Sequence, residues 1–233
     1  MKAAIMQPYF FPYLGYFQLI DSVDLFVVLD DVHYINRGWI NRNRIWLNDS
    51  PKWLTVPLRK ASQNRLIREI QIQDRDTWRD KALRTLSQAY SRAPFRKQAV
   101  ELFSEATQGD EENLSCFLVG CIRQIMDALS ISTEIIPSSS AFPKGGLRGQ
   151  DRILEICRSL EISTYMNPPG GTELYDEKRF EEAGIELVFQ QPDLRPSGIG
   201  TSSKEGAILS VLDLFFLNSA ESIAASLPSR TPP

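Results

Sequence analysis

The stretch "KAAIMQPYFFPYLGYFQLIDSVDLFVVLDD", residues 2–31, decides the fold class. Its two ends, residues 2–6 and 23–31, are apolar runs of the kind found in buried strands. Residues 13–21 can form a helix, whereas the prolines at positions 8 and 12 exclude ordinary helix or central strand from the loop before it. Strand, loop, helix and strand within about thirty residues make a βαβ unit. We therefore predict two parallel strands here.

The rest of the chain continues the alternation of strands and helices. A β-hairpin is predicted at 39–58, because the turn sequence "NDSP" separates two strand-like runs. Helical periodicity predicts an insertion of helices over about residues 76–130. After it we predict strands at 133–137, 163–166 and 185–189, with helices at 150–160, 176–183 and about 204–217.

These elements predict an α/β fold with a mostly parallel, doubly wound sheet of the nucleotidylyltransferase-like type. The β-hairpin and the helical insertion are additions to it. We expect a single domain over residues 1–222 and a flexible tail at 223–233, where serine and proline are frequent.

Bulk composition narrows the class of partner. The chain has 233 residues, 42% of them hydrophobic, a net charge of −3 and a pI near 5.4. This charge argues against nucleic acid or a membrane surface as a general partner. No secretory signal is recognised and the three cysteines suggest neither a disulfide scaffold nor a metal site. We therefore expect a cytoplasmic protein with reduced thiols; the composition indicates no particular cofactor or oligomeric state.

Ligands of parallel α/β sheets bind at the carboxyl ends of the strands. The loops expected there are 7–13, 30–38, 138–149 and 167–175, and the unusual residues of the sequence fall in them.

The first of these loops leads into "PYLGY", residues 12–16. Nucleotidylyltransferase sites have a His-x-Gly-His pattern at this point, which holds phosphates at a helix N-terminus. Here Gly15 is present, but Pro12 and Tyr16 replace the two histidines. Tyr9, Tyr13 and Tyr16 could still hold a sugar or base by stacking. The neighbouring phenylalanines 10, 11 and 17 are predicted to be core.

Two further loops carry charged candidates. "LDDVHY" contains Asp30, Asp31 and the single histidine, His33. Strand alternation would place Asp31 and His33 on one face, as a general base with an orienting carboxylate or as a structural pair. Asp30, Asp31 and His33 could also hold a divalent metal, but we predict no metal site. "PKGGLRGQDR" places Lys144 and Arg148 at a helix start suited to anions, although a flexible loop would look similar.

The stretch "RGWINRNRIW" is the most distinctive segment. Arg42 and Arg44 are predicted to bind an anion, because guanidinium groups recognise phosphates and carboxylates in bidentate fashion. Trp39, Asn41 and Asn43 are expected on the opposite strand face, where the amides suit sugar hydroxyls. An exposed hairpin with solvated charges is the alternative. Arg beside aromatic residues also suggests single-stranded nucleic acid, but the acidic pI and the lack of further basic clusters weaken that reading.

These segments together resemble the WbqC-like family. The matching residues are "MQPYFFPYLGYFQLI", "FVVLDDVHY", "RGWINRNRIWL", "LTVPL", "GQDRILEICRSLEISTYMNPPGGTELYDEKRF", "GIELVF" and "LSVLDLFF". The resemblance covers about residues 3–218. It departs at His33, where we expect Gln, and over residues 191–206. The resemblance identifies the following motif positions: Gln7, Pro8, Tyr9, Gly15, Asp30, Asp31, Trp39, Asn41, Arg42, Asn43, Arg44, Asn167, Gly170, Gly171 and Tyr175.

Members of this family are often encoded among genes for surface polysaccharide and O-antigen synthesis. The resemblance thus implies a protein acting on nucleotide-activated amino sugars, and acyl or aminoacyl transfer to a sugar amine is our main hypothesis. Asp30 or Asp31 would accept the proton, and Arg42 or Arg44 with the 144–149 loop would hold the phosphates. A diverged nucleotidylyltransferase or ligase and a non-catalytic binding or scaffold protein are the alternatives.

Overall fold

The structure, a computed structural model, describes residues 1–203 and 206–228. In chain order its elements are β1 (Lys2–Met6), α1 (Leu14–Asp21), β2 (Leu25–Val28), β3 (Arg42–Leu47), β4 (Ser50–Thr55), β5 (Leu58–Arg59), β6 (Gln71–Ile72), α2 (Arg75–Ala89), α3 (Arg96–Ala106), α4 (Leu114–Ala128), β7 (Glu134–Ile136), α5 (Gly149–Ser159), β8 (Thr164–Asn167), α6 (Glu177–Glu182), β9 (Glu186–Phe189), α7 (Val211–Leu217) and α8 (Ala220–Ala225).

The central sheet has five strands in the order β7-β2-β1-β8-β9. Every neighbouring pair is parallel, with Ala3 beside Leu25 on one side of β1 and beside Tyr165 on the other. The predicted α/β fold with a parallel sheet is confirmed. Counted along these five strands the order is 3-2-1-4-5, the pattern of doubly wound nucleotide-binding folds. The direction of winding reverses between β1 and β8, so a crevice is expected at their carboxyl ends.

Strand alternation divides the core into two layers. Ala4 of β1 and Phe26 and Val28 of β2 belong to one hydrophobic cluster, together with α1, α2, α3, α4 and α7. Their neighbours Ala3 and Ile5 belong to a second cluster, with α5 and α6 on the other face of the sheet. Both faces of the sheet are therefore covered, which is why its strands are almost uniformly apolar.

The predicted hairpin and helical insertion are both present. Strands β3 and β4 pair antiparallel, with Arg44 opposite Trp53. Helices α2, α3 and α4 occupy most of the interval predicted for the insertion. Among the residues described here, no helix is both long and apolar enough to cross a membrane.

The C-terminal part differs from the prediction. The helix predicted at about 204–217 is helical only over Val211–Leu217, and its first two residues lie outside the described residues. The predicted tail begins inside α8, where Ile223 is fully buried, and Leu227 beyond that helix is 8% exposed. The chain thus remains packed to at least Leu227, and residues 229–233 lie outside the described residues.

Candidate functional site

The predicted site loops follow β1, β2, β7 and β8 and therefore meet at the carboxyl edge of the sheet. The segment after β2 contains the two aspartates. Strand β2 ends at Val28, so strand alternation does not continue to residues 30–33. Asp30 and Asp31 are each 2% exposed and both contact Ser139, whereas His33 is exposed. The expectation that Asp31 and His33 share a strand face was wrong.

Asp30 is held entirely by uncharged donors. Its Oδ1 accepts hydrogen bonds from Ser138 Oγ at 2.7 Å and from the Ser139 amide at 3.2 Å. Its Oδ2 accepts from Ser115 Oγ of α4 at 2.8 Å. A buried carboxylate with this many donors is satisfied within the protein. Asp30 therefore joins α4 to the loop after β7 and is poorly placed to accept a proton from a ligand.

Asp31 forms a buried ion pair with Arg152 of α5. The Nη2 atom of Arg152 lies 2.9 Å from Oδ2 of Asp31, and Lys144 Nζ lies 3.8 Å from the same oxygen. The Arg152 side chain is 1% exposed. It also donates to the carbonyls of Ser139, Phe142 and Pro143. This one guanidinium thus fastens the 138–149 loop to the segment after β2.

A cleft of about 210 Å³ lies beside this ion pair. His33, Lys144, Arg148 and Gly149 line it, together with Arg152 and Leu66. Helix α5 begins here, and its cap residue Arg148 makes no side-chain hydrogen bond to the helix. Gly149 has a φ of +52°, a left-handed conformation that favours glycine. The predicted residues His33, Lys144 and Arg148 are therefore brought together, at a helix N-terminus with positive partial charge.

The same helix turn contacts the loop after β8. Gln150 donates to the Asp176 carbonyl at 3.2 Å and accepts from the Asp176 amide at 2.8 Å. The first turn of α5 thus lies between the cleft and the 168–176 loop. This turn connects two of the predicted site loops.

The 168–175 loop packs tightly around its glycine pair. A Cβ on Gly171 would lie 2.3 Å from Nδ2 of the buried Asn167, so a larger residue there would require Asn167 to shift. Gly170 is exposed and meets no such restriction. Burial raises the pKa of Tyr175, and hydrogen bonds from Tyr165 and Asn167 partly offset this rise. Asn167 is 4% exposed and forms a hydrogen bond with Tyr175 inside this loop.

The aromatic loop after β1 is mostly core. Phe10, Phe11 and Phe17 are fully buried, as predicted. Tyr16 is 1% exposed and donates to the Gln7 carbonyl at 2.9 Å, so it is not available for stacking on a ligand. Tyr9 and Tyr13 are half-buried, as is Gln7. Burial raises the pKa of Tyr9 to about 12, so its hydroxyl stays protonated near neutral pH.

The N-terminus of α1 is covered. A Cβ on Gly15 would lie 2.6 Å from Pro192 Cβ and 2.6 Å from the ring of Tyr13. Gly15 therefore allows the segment around Pro192, called the 190s segment below, to approach α1 closely. At the position where a nucleotidylyltransferase would hold phosphates, this chain places a proline and a tyrosine ring.

The two asparagines of the "NRNR" stretch hold the backbone together. Asn41 accepts from the Tyr34 hydroxyl at 2.8 Å and donates to the Val56 carbonyl at 2.8 Å. Asn43 donates to the carbonyls of Phe10 and Phe11 at 3.2 and 2.7 Å. Both side chains are buried. They position the hairpin against the aromatic loop, and the structure does not present them to a sugar.

Arg42 and Arg44 stack on tryptophans at the hairpin surface. The guanidinium carbon of Arg42 lies 4.0 Å from the ring centre of Trp53, and that of Arg44 lies 5.2 Å from Trp39. Trp39 therefore contacts the arginine face, contrary to its predicted position on the opposite face. Neither arginine lines the cleft at α5.

These clusters contain residues that were not predicted as site residues: Ser115, Ser138, Ser139, Arg152 and Trp53. A sequence signal existed for Arg152, because it lies four residues before the buried Ile156 and so on the apolar face of α5. A charged residue on such a face requires a buried partner. No comparable feature of the sequence marks Ser139. Ser139 follows β7, whereas its partners Asp30 and Asp31 follow β2.

Comparisons with known proteins relate the chain to one family. The chain matches the model of the WbqC-like protein family over residues 7–225. It is similar to the uncharacterized protein Rv1507c of Mycobacterium tuberculosis, with 32% identity over 223 residues, 94% of this chain and 95% of that protein. No solved structure matches the chain at a significant level. A match over almost the whole chain, including every loop described above, leads to one conclusion: the chain belongs to the WbqC-like protein family.

Proposed function

We propose that this protein is a transferase of surface-glycan biosynthesis that binds a nucleotide-activated amino sugar and transfers an acyl or aminoacyl group to the sugar amine. The frequent association of WbqC-like proteins with polysaccharide genes supports the glycan setting. The 3-2-1-4-5 strand order supports a nucleotide as part of the ligand, since such sheets commonly bind nucleotides at their carboxyl edge.

The cleft at the start of α5 is the observation that carries the proposal. Lys144 and Arg148 contribute two positive charges beside a helix N-terminus that no side chain caps. Cations and free backbone N–H groups in this arrangement suit the pyrophosphate of a nucleotide sugar. We therefore assign phosphate binding to this cleft and no longer to Arg42 and Arg44.

The transfer needs a proton acceptor near the sugar amine. The amine nitrogen would attack the carbonyl carbon of an acyl thioester; the N–C bond forms, the C–S bond breaks, and the amine proton finally reaches the thiolate. Asp30 and Asp31 are occupied by serine hydroxyls and by Arg152. His33 is exposed and lines the cleft. We assign the transient proton acceptor to His33 and a positioning role to the two aspartates.

The His33→Gln variant tests this assignment. Glutamine keeps hydrogen-bonding capacity and approximate size but cannot accept the proton, so kcat should fall about 10²- to 10⁴-fold with little change in KM. The measurement is thiol release from an acyl thioester in the presence of an amino-sugar nucleotide. An unchanged kcat would show that His33 is not the base.

Phosphate binding is tested by calorimetry with UDP and dTDP, each alone and linked to an amino sugar. Arg148→Gln should weaken binding roughly ten- to a hundredfold, because one charge-assisted hydrogen bond is lost. Arg158→Gln is the matched control, because Arg158 is exposed in the last turn of the same helix. Equal affinities of the two variants would contradict the phosphate site. Absence of binding by the unmodified protein would favour the scaffold hypothesis.

The nucleotidylyltransferase alternative has less support. The start of α1 is covered by Pro192 and Tyr13, and Tyr16 is turned into the core. Release of pyrophosphate on incubation with a nucleoside triphosphate and candidate acids would nevertheless favour this alternative over acyl transfer.

A further inference from the structure

The positive charge of this acidic protein is concentrated in one segment. Between Asp31 and Glu69 the chain has eight lysines or arginines and a single acidic residue, Asp49, a net charge of +7. Since the whole chain carries −3, the remainder carries −10. Salt screens the interaction between charges that lie far apart on the protein surface. The net charge of the whole chain therefore underestimates how strongly this segment attracts anions.

Part of this segment forms a continuous surface, which we call the hairpin patch: Ile35, Arg37, Trp39, Arg42, Arg44 and Trp53. Arg42 donates to the carbonyls of Gly38 and Arg37. Gly38 in turn packs against Ile35: a Cβ built on Gly38 would lie 3.3 Å from Cγ2 of Ile35. The rings of Trp39 and Trp53 are 5.2 Å apart, and Arg44 lies near both rings. Basic and apolar groups are thus interleaved on one surface.

The arginines of the hairpin patch are not neutralised within the protein. Among the described residues, no carboxylate lies within 4.0 Å of Arg37, Arg42 or Arg44. Arg42 covers one face of Trp53, so a base or sugar cannot stack on that face. Because Arg42 uses Nε and Nη2 for the Gly38 and Arg37 carbonyls, its Nη1 and the terminal nitrogens of Arg44 are the groups that can donate to phosphate oxygens.

The apolar members of the patch distinguish between anionic partners. Ile35 is 52% exposed and Trp53 is 45% exposed, so two large apolar side chains of the hairpin patch face solvent beside its arginines. An aliphatic side chain gains little from single-stranded nucleic acid or from an anionic glycan, both of which are polar at their edges. At a lipid surface it can enter the acyl boundary, where tryptophan is also favoured, while arginines bind the headgroup phosphates.

We propose that the hairpin patch binds the surface of an anionic phospholipid membrane. The association is peripheral: Arg37, Arg42 and Arg44 contact headgroup phosphates, and Ile35 and Trp53 insert at the interface. This inference does not depend on the proposed transferase activity, and it replaces the expectation, drawn from net charge, that no membrane is involved.

The test is sedimentation of the full chain with phosphatidylcholine vesicles that do or do not contain phosphatidylglycerol. We expect binding only to the anionic vesicles, with loss of binding at about 1 M salt, where the Debye length is about 3 Å. The double variant Arg42→Gln/Arg44→Gln should bind roughly thirtyfold more weakly, since each basic residue near such a surface contributes about 1 kcal/mol. Trp53→Ala should weaken binding without altering its dependence on salt.

Arg84→Gln/Arg92→Gln is the matched control, because it removes the same charge from exposed positions in and just beyond α2. Circular dichroism of each variant verifies that it is folded. Equal vesicle binding by the hairpin and control variants would overturn the proposal. It would also be overturned if the unmodified protein bound no anionic vesicles, or if it bound only single-stranded RNA or an anionic polysaccharide through these residues.

Discussion

At the scale of single residues, the contacts of Asp31 and Arg152 organise the candidate site. Arg152 contacts three carbonyls of the 138–149 loop and the carboxylate of Asp31. The pair is almost inaccessible to solvent. Removing Arg152 would leave the buried Asp31 carboxylate with only Lys144, 3.8 Å away, and removing Asp31 would leave the Arg152 charge buried without a carboxylate partner.

We predict that Arg152→Gln lowers the free energy of unfolding by about 3–5 kcal/mol, as expected when one partner of a buried ion pair is removed. Urea unfolding followed by circular dichroism provides the measurement. Arg158→Gln on the exposed side of α5 should change stability by less than about 0.5 kcal/mol.

The double variant Arg152→Gln/Asp31→Asn should recover part of the loss, because the uncompensated charge has been removed. If the double variant is no more stable than Arg152→Gln alone, Asp31 and Arg152 do not stabilise each other in the way that their 2.9 Å separation implies.

At the scale of elements, close packing of α1 against the 190s segment determines which residue is allowed at position 15. Alanine normally stabilises a helix relative to glycine by about 1 kcal/mol. At Gly15, however, the added methyl group would lie 2.6 Å from Pro192 Cβ and from the Tyr13 ring. Steric conflict should outweigh helix propensity at this position.

We therefore predict that Gly15→Ala destabilises the protein by roughly 1–3 kcal/mol, the usual cost of overpacking. Gly120→Ala is the matched control: Gly120 lies inside α4, is exposed, and has nothing within 4 Å of an added Cβ. This control should raise stability by about 0.4–1 kcal/mol. Thermal unfolding measures both. A stabilising Gly15→Ala would mean that Pro192 does not cover α1 in solution.

At the scale of the whole molecule, the burial of phenols and thiols determines the alkaline limit of stability. Burial raises the pKa of Tyr9 to about 12 and that of Cys157 to about 12. The pKa values of Tyr16, Tyr90, Tyr165 and Cys121 are raised as well, again mainly by burial. In the folded protein these groups retain protons that the unfolded chain would release.

The sign of the effect follows from this difference in proton binding. A pKa raised by folding gives stability that is complete below the unfolded pKa, 9.0 for Cys and 10.0 for Tyr, and is lost as pH rises toward the folded value. We predict that the free energy of unfolding falls progressively from about pH 9 to pH 12. Urea titrations across this range measure it.

Tyr9→Phe should make that decline shallower between about pH 10 and pH 12, because one of the protons no longer has to be released. An identical decline in the variant and the unmodified protein would show that the Tyr9 hydroxyl is accessible to base in the folded state.

The amino-acid sequence by itself determined the α/β class, the parallel pairing of β1 with β2, the hairpin and the helical insertion. These follow from apolar periodicity and from the turn residues, which act over a few positions along the chain. The sequence also identified the loops at the carboxyl edge of the sheet. Parallel strands place their carboxyl ends at the same edge whatever side chains the loops carry. Lys144, Arg148 and His33 were named on that basis and do line one cleft.

Only the tertiary structure decided which polar side chains are free to meet a ligand. Asn41, Asn43 and Tyr16 look like binding residues in the sequence, yet their hydrogen bonds are made to backbone carbonyls of neighbouring segments. Asp31 acquires its partner from α5, more than a hundred residues away along the chain. Periodicity cannot predict such pairings, since they depend on how the elements pack in three dimensions.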